Sequence, residues 1–459
     1  MELSFFALVV CLAGVLTSAT GALYWQIVFC LFGAAGAITL TSIGGAVITP
    51  SNLFLPFLVV RAWAEQYGRS FSRRVPVAGV WLGLAVSYGV LGAICSPRFF
   101  YHELDVLTMD RTGGSIGVVL YPLHPVSGNI TQSGYALGGL AAFLSVRALL
   151  EKPQRMRHFR DAVLLLATLN CIAALLNLGE YHLGLPATLT YVRNAYALFD
   201  AYEIAGTGLM RIHGTFSETA AFCAFTLPLF AFTFSLWMSS VRSLYTGTLS
   251  LLLLTFLLLS TSTTAYVGLA LYGFILLFVL TYRGYVRGTV PRIGLLVSGA
   301  LLAAALVGSF FVLDTAIGRK LEDYFAITVF NKLDSASGVE RSEWNRQAWS
   351  NFIDTYGIGV GLGSARASSL PLVLLSNFGL LGTLAFGAFL KRLFRPVSST
   401  PETSATIDAA RQAVLGALSA GLVSCTVFDL GITFYAYAAA ASYQPLVESL
   451  YPNNQTLRG

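Results

Sequence analysis

Long stretches without a charged residue divide this chain, and they constrain its fold more than any other feature. Residues 75–97, between Arg74 and Arg98, contain no Asp, Glu, Lys or Arg. A window of this length matches the roughly 20 apolar residues that a helix needs to cross a hydrocarbon core of about 30 Å. Because such windows recur along the whole chain, the sequence predicts an all-α polytopic membrane protein.

The number of windows predicts the number of spans. The stretch from Arg242 to Arg283 is long enough for two spans, residues 2–61 fit three short ones, and the window before Arg147 supplies one more. Single windows lie at Arg74–Arg98, Asp161–Glu180, Glu218–Arg242, Arg292–Asp314, Arg366–Lys391 and Arg411–Asp429. We therefore expect about twelve transmembrane helices in one integral membrane domain, residues 1–459, and residues 430–447 would add a thirteenth.

Composition supports this class and argues against others. Only 11% of the residues are charged, against roughly 25% in soluble domains, and the mean hydropathy is +0.70. All six cysteines lie in apolar windows without CxxC or Cys/His spacing, so we expect small buried residues and neither a disulfide framework nor a metal site. No basic surface interleaved with aromatic residues points to nucleic acid. The net charge of +6 is attributed to loops that meet anionic membrane lipids.

Loop charge predicts the orientation, because Lys and Arg resist translocation. Basic loops recur at every second connection and are expected to be cytoplasmic: 69–74, 152–160, 282–292 and 391–395. The connections between them, 98–130, 180–217 and the long loop 314–366, should face outward. The soft segment "RPVSSTPETSATIDAARQ" (395–412) is expected to be a cytoplasmic linker.

The stretch "RIHGTFSE" (211–218) places ionisable residues at the predicted outer mouth of a span. Arg211, His213 and Glu218 are candidate functional residues, since ionisable groups at membrane depth usually face a polar cavity. Structural alternatives are that Arg211 reaches lipid phosphates and that Glu218 caps the first turn of the span. His213 alone is more typical of a hydrogen-bonded structural residue.

The long outer loop ends with "SGVERSEWNRQAWSNFIDTYGIGVGLGSARASS" (337–369). Periodicity over 340–352 predicts an amphipathic helix that carries Arg341 and Arg346. Gly361, Gly363, Ser364 and Arg366 follow in a glycine-rich run. This run reads either as a turn leading to a helix N-terminus that holds an anion, or as glycines that only end a helix before a span.

Together these stretches resemble a known family. Arg-x-x-Gly-x-Phe-x-Glu at an outer span mouth, Ser-Gly-x-x-Arg in a long outer loop, Gly-x-Gly-x-Gly-Ser and then "LLSNFGLLGTLAF" (374–386) are similar to the superfamily of O-antigen ligases and Wzy-type repeat-unit polymerases. The resemblance covers residues 205–390. It implies a GT-C-like, metal-independent glycosyltransferase without a cofactor, in the bacterial inner membrane with its active site facing the periplasm.

The family implies a substrate and residue roles. The donor would be an oligosaccharide on undecaprenyl diphosphate, and a chain-length regulator would be a partner protein. By position, Arg211 matches the arginine proposed to hold the diphosphate, and Arg341 matches the second arginine in the long loop. Without a metal, fixed cations must stabilise the leaving diphosphate, and a carboxylate or imidazole must take the acceptor proton. We expect Arg211, Glu218 and Arg341 to be catalytic, with His213, Arg346, Gly361, Gly363, Ser364 and Arg366 binding substrate.

One departure favours polymerases over ligases. The ligase branch carries a His-Asn pair soon after the glycine run, whereas "SARASSLPLVLLSN" contains no His. The sequence therefore predicts a polymerase that transfers a glycan to a sugar hydroxyl of another lipid-linked repeat unit. The alternatives are a ligase that transfers glycan to the lipid A core and, in a different class, a flippase for lipid-linked oligosaccharides.

Overall fold

Helices dominate the computed structural model, which describes residues 2–40, 46–67, 75–110, 117–152, 154–195, 210–287 and 336–444. The described residues form thirteen α-helices: α1 Phe5–Leu16, α2 Ala19–Phe29, α3 Pro50–Gln66, α4 Val77–Phe99, α5 Ser127–Leu149, α6 Arg155–His182, α7 Thr219–Met238, α8 Ser243–Leu259, α9 Thr263–Arg287, α10 Ala336–Asp354, α11 Leu370–Leu393, α12 Pro401–Val423 and α13 Gly431–Ala441. The prediction of a mostly helical membrane protein is confirmed.

Four of these helices, α4, α6, α7 and α11, are long and apolar enough to cross a membrane. Their apolar faces provide the burial that a bilayer requires, and their backbone polar groups are satisfied within each helix. The other described helices are shorter or less apolar, and the predicted span between Arg292 and Asp314 lies outside the described residues. The described residues therefore contain four candidate spans, and the predicted total of about twelve is not shown.

Helix α12 shortens the predicted linker 395–412. Only residues 395–400 are irregular, and α12 begins at Pro401. Thr400 caps this helix by accepting a hydrogen bond from the Thr403 N–H, and Glu402 lies in the first turn. Pro at the first helical position with a Thr cap is a strong start signal, and it outweighs the Ser/Thr-rich composition that predicted a linker.

The connections between helices gather at two ends of the bundle. The loop end comprises residues 30–37, 100–107, 183–195, 210–218, 355–369 and 424–430. Backbone hydrogen bonds join its parts: Ala34 N–H to Thr215 O (3.1 Å), Ala195 N–H to Ala34 O (2.9 Å), Arg366 N–H to Leu107 O (2.9 Å) and Cys425 N–H to Ser368 O (3.2 Å). The predicted outward connections thus lie together here, as far as they are described.

The ion-pair end comprises residues 61–66, 149–161, 239–242 and 393–402. Arg160 pairs with Glu402 (2.6 Å), and Arg242 pairs with Asp161 (3.2 Å). Arg155 pairs with Glu65. The connections predicted to be cytoplasmic, 152–160 and 391–395, lie at this end. Helices of 20 to 28 residues separate the two ends, which corresponds to about 30–42 Å at 1.5 Å per residue.

The core lies where helices from both halves of the chain meet. Helix α7 packs against α8 and α12, α4 packs against α5 and α11, and α13 packs against α5 and α12. The ring of Phe428 lies 4.4 Å from that of Phe378 in a tilted arrangement and 5.4 Å from that of Phe386 edge to face, measured between ring centroids. Such aromatic pairs contribute about 0.5–1.5 kcal/mol each beyond their buried area.

Two small antiparallel sheets were not expected from the sequence. Strands β1 (Glu2–Leu3), β2 (Ile38–Leu40) and β3 (Ala46–Ile48) form one sheet. Strands β4 (Asp105–Asp110) and β5 (Gly117–Pro122) form a hairpin in which Asp105 lies opposite Pro122. The hairpin falls within the connection 98–130, where the β-branched run "GVVLYP" suits a strand.

The cysteines differ from the prediction that all are buried. Cys171, Cys223 and Cys425 are buried and Cys30 is half-buried, but Cys11 and Cys95 are exposed on α1 and α4. An apolar side chain on the outer surface of a membrane helix faces lipid, so a buried position is not required there. All six are free thiols.

Candidate functional site

Three parts of the protein hold the segment 210–218 in place before α7. The Asn177 Oδ1 atom of α6 accepts hydrogen bonds from the His213 N–H (2.9 Å) and the Gly214 N–H (3.3 Å). Thr215 is bonded through its carbonyl to Ala34, and the Thr261 hydroxyl donates to the carbonyl of Met210 (3.0 Å). The loop that carries Arg211 is therefore fixed by α6, by the α2–β2 connection and by the α8–α9 turn.

Arg211 is half-buried at the loop end. Its Nε atom is buried and has no hydrogen-bond partner among the described residues. A buried donor without a partner costs free energy, and such groups in native structures usually have a functional or solvent explanation. The guanidinium thus has unused capacity to bind an anion.

Glu218 occupies the N-cap position of α7. Its backbone is extended (φ −157°, ψ 161°), and its side chain makes no capping hydrogen bond. Within the described part of the chain, its carboxylate has no ion pair or hydrogen bond. Glu218 therefore occupies the predicted capping position but makes no capping hydrogen bond. Its carboxylate is available to a ligand.

Arg211 and Glu218 lie near the N-terminus of α7. We call this group of residues the Arg211–Glu218 site: Arg211, Glu218, Thr219, Cys223 and Ser260. Both charges are within electrostatic range of the Cys223 thiol, which lies 3.2 Å from the Ser260 hydroxyl. The Thr219 hydroxyl is buried without a partner in the described structure. Within the described structure, Arg211 and Glu218 do not form an ion pair with each other.

His213 differs from its neighbours because its side chain is 1% exposed. Its backbone N–H is bound by Asn177. A side chain buried to this extent does not reach a substrate in this structure, so the predicted substrate contact of His213 has no geometric support. Glu218 remains the candidate base.

Arg341 and Arg346 both lie on α10, which covers the predicted 340–352 helix. Arg346 is exposed and pairs with Glu343 at 3.0 Å, one turn away. Arg341 is half-buried and has no ion pair or hydrogen bond among the described residues. The described contacts do not join Arg341 to the Arg211–Glu218 site, so their convergence stays a prediction.

Two bonds dock α10 against the loop end. The Gln347 Nε2 atom donates to the carbonyl of Asp105 (2.7 Å), and the Ser368 N–H donates to Asn345 Oδ1 (2.8 Å). Helix α10 therefore rests on strand β4 and on the residues before α11. One face of the amphipathic helix α10 packs against protein, and Ala348 and Asn351 on this helix are fully buried.

Gly359, Gly361 and Gly363 form what we call the glycine seam, a backbone turn pressed against other backbone. A Cβ on Gly361 would lie 2.4 Å from the Gly92 carbonyl of α4, and a Cβ on Gly363 would lie 2.3 Å from the Gly128 carbonyl of α5. Both have positive φ angles, +91° and +83°. Glycine is required here by both the space and the backbone conformation.

Polar groups of the glycine seam are bonded within the protein. The Gly363 N–H donates to Asn377 Oδ1 (3.1 Å), and the Ser364 hydroxyl accepts from Asn129 Nδ2 (2.8 Å). An anion at Gly361, Gly363 or Ser364 would have to displace these partners. The geometry therefore supports the reading as a close-approach turn and gives no support to the predicted substrate contacts.

Helix α11 is interrupted next to the glycine seam. Gly379 has non-helical angles (φ 59°, ψ −167°), and the Leu380 N–H donates to the Gly357 carbonyl (2.8 Å). Membrane helices tolerate such breaks where neighbouring protein satisfies the freed backbone groups. The "SNFGLL" part of the family-like motif is thus the docking point of the seam.

Arg366 packs against strand β4. Its N–H donates to the Leu107 carbonyl (2.9 Å), and its guanidinium lies 3.7 Å from the Met109 sulfur. This places Arg366 at the loop end, on the face formed by the β4–β5 hairpin. The predicted role in substrate binding stays a prediction.

Sequence reasoning missed two residues near this site. Asn177 belongs to no motif and lies within an apolar window. A single amide side chain in a predicted span is nevertheless unusual and could have indicated it. Asp429 served only as the end of a window, yet it lines a cavity whose wall includes Phe216. Within the described residues, no three His, Cys, Asp or Glu side chains lie close enough to hold a metal ion.

Comparison with known proteins adds no assignment. No protein-family model and no curated protein matches this chain.

Proposed function

We propose that this protein is a glycan polymerase of the bacterial inner membrane, a metal-independent glycosyltransferase with about twelve spans and GT-C-like architecture. It transfers an oligosaccharide from undecaprenyl diphosphate to a sugar hydroxyl of another lipid-linked repeat unit on the periplasmic side. The family-like motifs in 205–390 suggest this reaction. The single observation that carries it is that Arg211, whose buried Nε has no hydrogen-bond partner among the described residues, and Glu218, which makes no capping hydrogen bond, both lie within electrostatic range of Cys223.

Arg211 suits the leaving group. A lipid diphosphate gains negative charge as its bond to the anomeric carbon breaks, and a guanidinium forms two parallel hydrogen bonds to phosphate oxygens. The segment 210–218 is fixed by Asn177 and Thr261, so the cation needs little reorganisation when that charge develops. Arg341 would add a second cation from α10.

Glu218 suits the role of the general base. The acceptor oxygen attacks the anomeric carbon, the bonding electrons leave with the diphosphate, and the hydroxyl proton passes to the carboxylate. An ion-paired carboxylate would be a poorer proton acceptor, and Glu218 has no such pair among the described residues.

A complementation experiment tests this proposal. A strain lacking the gene receives wild-type protein, Arg211→Ala, Arg211→Lys or the control Arg98→Ala, and surface and undecaprenyl-linked glycans are resolved by length on a gel. Arg98 is exposed at the loop end of α4 and bonds to the Ile94 carbonyl of its own helix. We expect Arg211→Ala to leave single repeat units without a length ladder, Arg211→Lys to restore part of the ladder, and Arg98→Ala to match wild type.

Other results would identify another activity. A normal ladder that stays on the lipid carrier in the deletion strain indicates a ligase. Repeat units trapped on the cytoplasmic face indicate a flippase. A full ladder with Arg211→Ala at wild-type protein levels contradicts the diphosphate role of Arg211.

A further inference from the structure

A cavity of about 370 Å³ lies beside the Arg211–Glu218 site and is not used by the reaction above. Its wall combines residues after α2, the start of α3, one side of α7 and the start of α13. Phe216, two residues before Glu218, is part of this wall. Residues 216–218 therefore connect the cavity wall with the Arg211–Glu218 site along the chain.

Asp429 gives the cavity the only carboxyl group among the described lining residues, which include no Lys, Arg or His. Its Oδ1 atom accepts a hydrogen bond from the Gly431 N–H (2.9 Å), and no other bond to this carboxylate is found in the described structure. A carboxylate accepts about four hydrogen bonds. Most of its accepting capacity is thus available to whatever enters the cavity.

Neutral polar groups line the side of the cavity formed by α3. The Thr49 and Ser51 hydroxyls lie 3.1 Å apart, and the Asn52 amide donates to the Thr49 hydroxyl (3.1 Å). Because the described wall holds no cation, a phosphate or carboxylate would meet only the repulsion of Asp429. The lining therefore excludes anionic ligands.

Aromatic rings complete the wall. Phe216 and Phe225 lie 4.7 Å apart between ring centroids, and Phe434 and Tyr437 also line the cavity. Apolar ring faces combined with hydroxyl, amide and carboxylate groups match a ligand that carries both C–H faces and many hydroxyls. The volume falls in the range of about 300–1,000 Å³ typical of small-molecule sites and is far above the roughly 30 Å³ of one water.

We propose that this cavity binds a neutral sugar residue, with Asp429 accepting hydrogen bonds from its hydroxyls. The identification of that sugar as the glycan acceptor rests on the proposed polymerase function, whereas sugar binding itself does not. With the acceptor beside Phe216, its hydroxyl lies on the side of α7 where Glu218 is found. Donor and acceptor would then meet at the N-terminus of this helix.

Cys30 provides a natural probe, because it lines the cavity. Full-length protein in lipid discs free of glycoside detergent is treated with methyl methanethiosulfonate, with and without glucose, galactose or N-acetylglucosamine at millimolar concentration. Modification of Cys30 is followed by peptide mass spectrometry. Cys11 and Cys95 are exposed and lie outside the cavity, so their rates serve as internal controls.

We expect at least one of these sugars to slow the modification of Cys30 and to leave Cys11 and Cys95 unchanged. Asp429→Asn should raise the sugar concentration for half protection by about tenfold or more, because charge-assisted hydrogen bonds are lost. Ala224→Leu, which fills part of the cavity, should abolish protection without touching Asp429. Asp354→Asn, a carboxylate at the exposed end of α10, should behave as wild type.

Three results overturn the proposal. The first is the lack of protection by all three sugars, and the second is equal protection in wild type and Asp429→Asn. The third is protection by sodium ions in place of sugars, which would indicate a cation site. Arg211→Ala should not change sugar protection, since free sugars carry no phosphate, so failure of the proposed function and failure of this inference give different results.

Discussion

The amide oxygen of Asn177 lies 2.9 Å from the backbone nitrogen of His213 and accepts its hydrogen bond. The same oxygen also accepts the Gly214 N–H. One side chain on a membrane helix thus fixes the turn that places Arg211 on one side and Glu218 on the other. The geometry of the candidate site depends on a residue that has no chemical role in it.

Removing this amide should loosen the turn. In Asn177→Ala, we expect faster hydrogen exchange of the peptide covering 210–218, by about thirtyfold, because two buried hydrogen bonds worth about 1 kcal/mol each are lost. Hydrogen exchange with mass spectrometry measures this. Asn170→Ala, on the same helix but bonded to the Thr226 side chain, should leave that peptide unchanged. Equal exchange in both variants would show that Asn177 does not hold the turn.

Glu218→Gln should separate chemistry from stability. The side chain makes no capping bond, so we expect thermal stability to change by less than about 0.5 kcal/mol while the glycan ladder is lost. Ser18→Ala removes a working N-cap, which accepts from the Gly21 N–H at 3.2 Å, and should cost about 1 kcal/mol with the ladder retained. Thermal unfolding in detergent and the glycan gel give the two readouts. A ladder that survives Glu218→Gln contradicts the base assignment.

The glycine seam should not accept alanine. Gly361→Ala places a methyl group 2.4 Å from the Gly92 carbonyl and forces a left-handed backbone at about 1–2 kcal/mol before any clash is counted. We expect a large loss of folded protein, measured as the monodisperse yield after purification. The control Gly387→Ala lies in the C-terminal half of α11, and no atom lies within 4 Å of the added methyl group. This substitution should be neutral or slightly stabilising. Normal yield of Gly361→Ala would show that the seam is looser than this structure indicates.

The ion-pair end should make the protein sensitive to acid. Hydrogen bonding from Arg155 lowers the pKa of Glu65 below its ordinary value of 4.5, with Lys152 adding to the effect. Because the pKa is lower in the folded state, this pair stabilises the fold above about pH 4.5, and the contribution is lost as the pH falls through the folded-state pKa.

Glu65→Gln should therefore lower the unfolding temperature at pH 7, by the equivalent of about 3 kcal/mol, since it leaves the buried Arg155 without its partner. Between pH 7 and a pH below about 4.5, the variant should also lose less stability than wild type, because the wild-type pair is lost as the pH falls through the folded-state pKa of Glu65. Thermal unfolding over this pH range measures both. Glu103→Gln, an exposed carboxylate at the loop end, should follow the wild-type curve, and a parallel shift of Glu65→Gln at every pH would contradict the assignment.

The charge pattern of the sequence predicted the parts of this protein that depend on local composition. Apolar windows predicted α4, α6, α7 and α11, because an apolar helix satisfies its own backbone wherever it lies in a membrane. The alternation of basic loops predicted that the connections 152–160 and 391–395 share an end of the bundle, and these two lie there in the described structure. Glu218 was placed correctly at the start of a span, since that position follows from chain order alone.

Tertiary structure decided what the conspicuous residues do. From sequence, the glycines of 359–363 could form an anion-binding turn or only end a helix, but the carbonyl groups of Gly92 and Gly128, more than 230 residues away in sequence, lie against them. From the sequence, His213 was a candidate site residue, but its side chain is buried. Asp429 only marked the end of an apolar window, but it lines a cavity. Helix formation follows from neighbours along the chain, whereas the use of a glycine, an imidazole or a carboxylate depends on which distant segments pack against it.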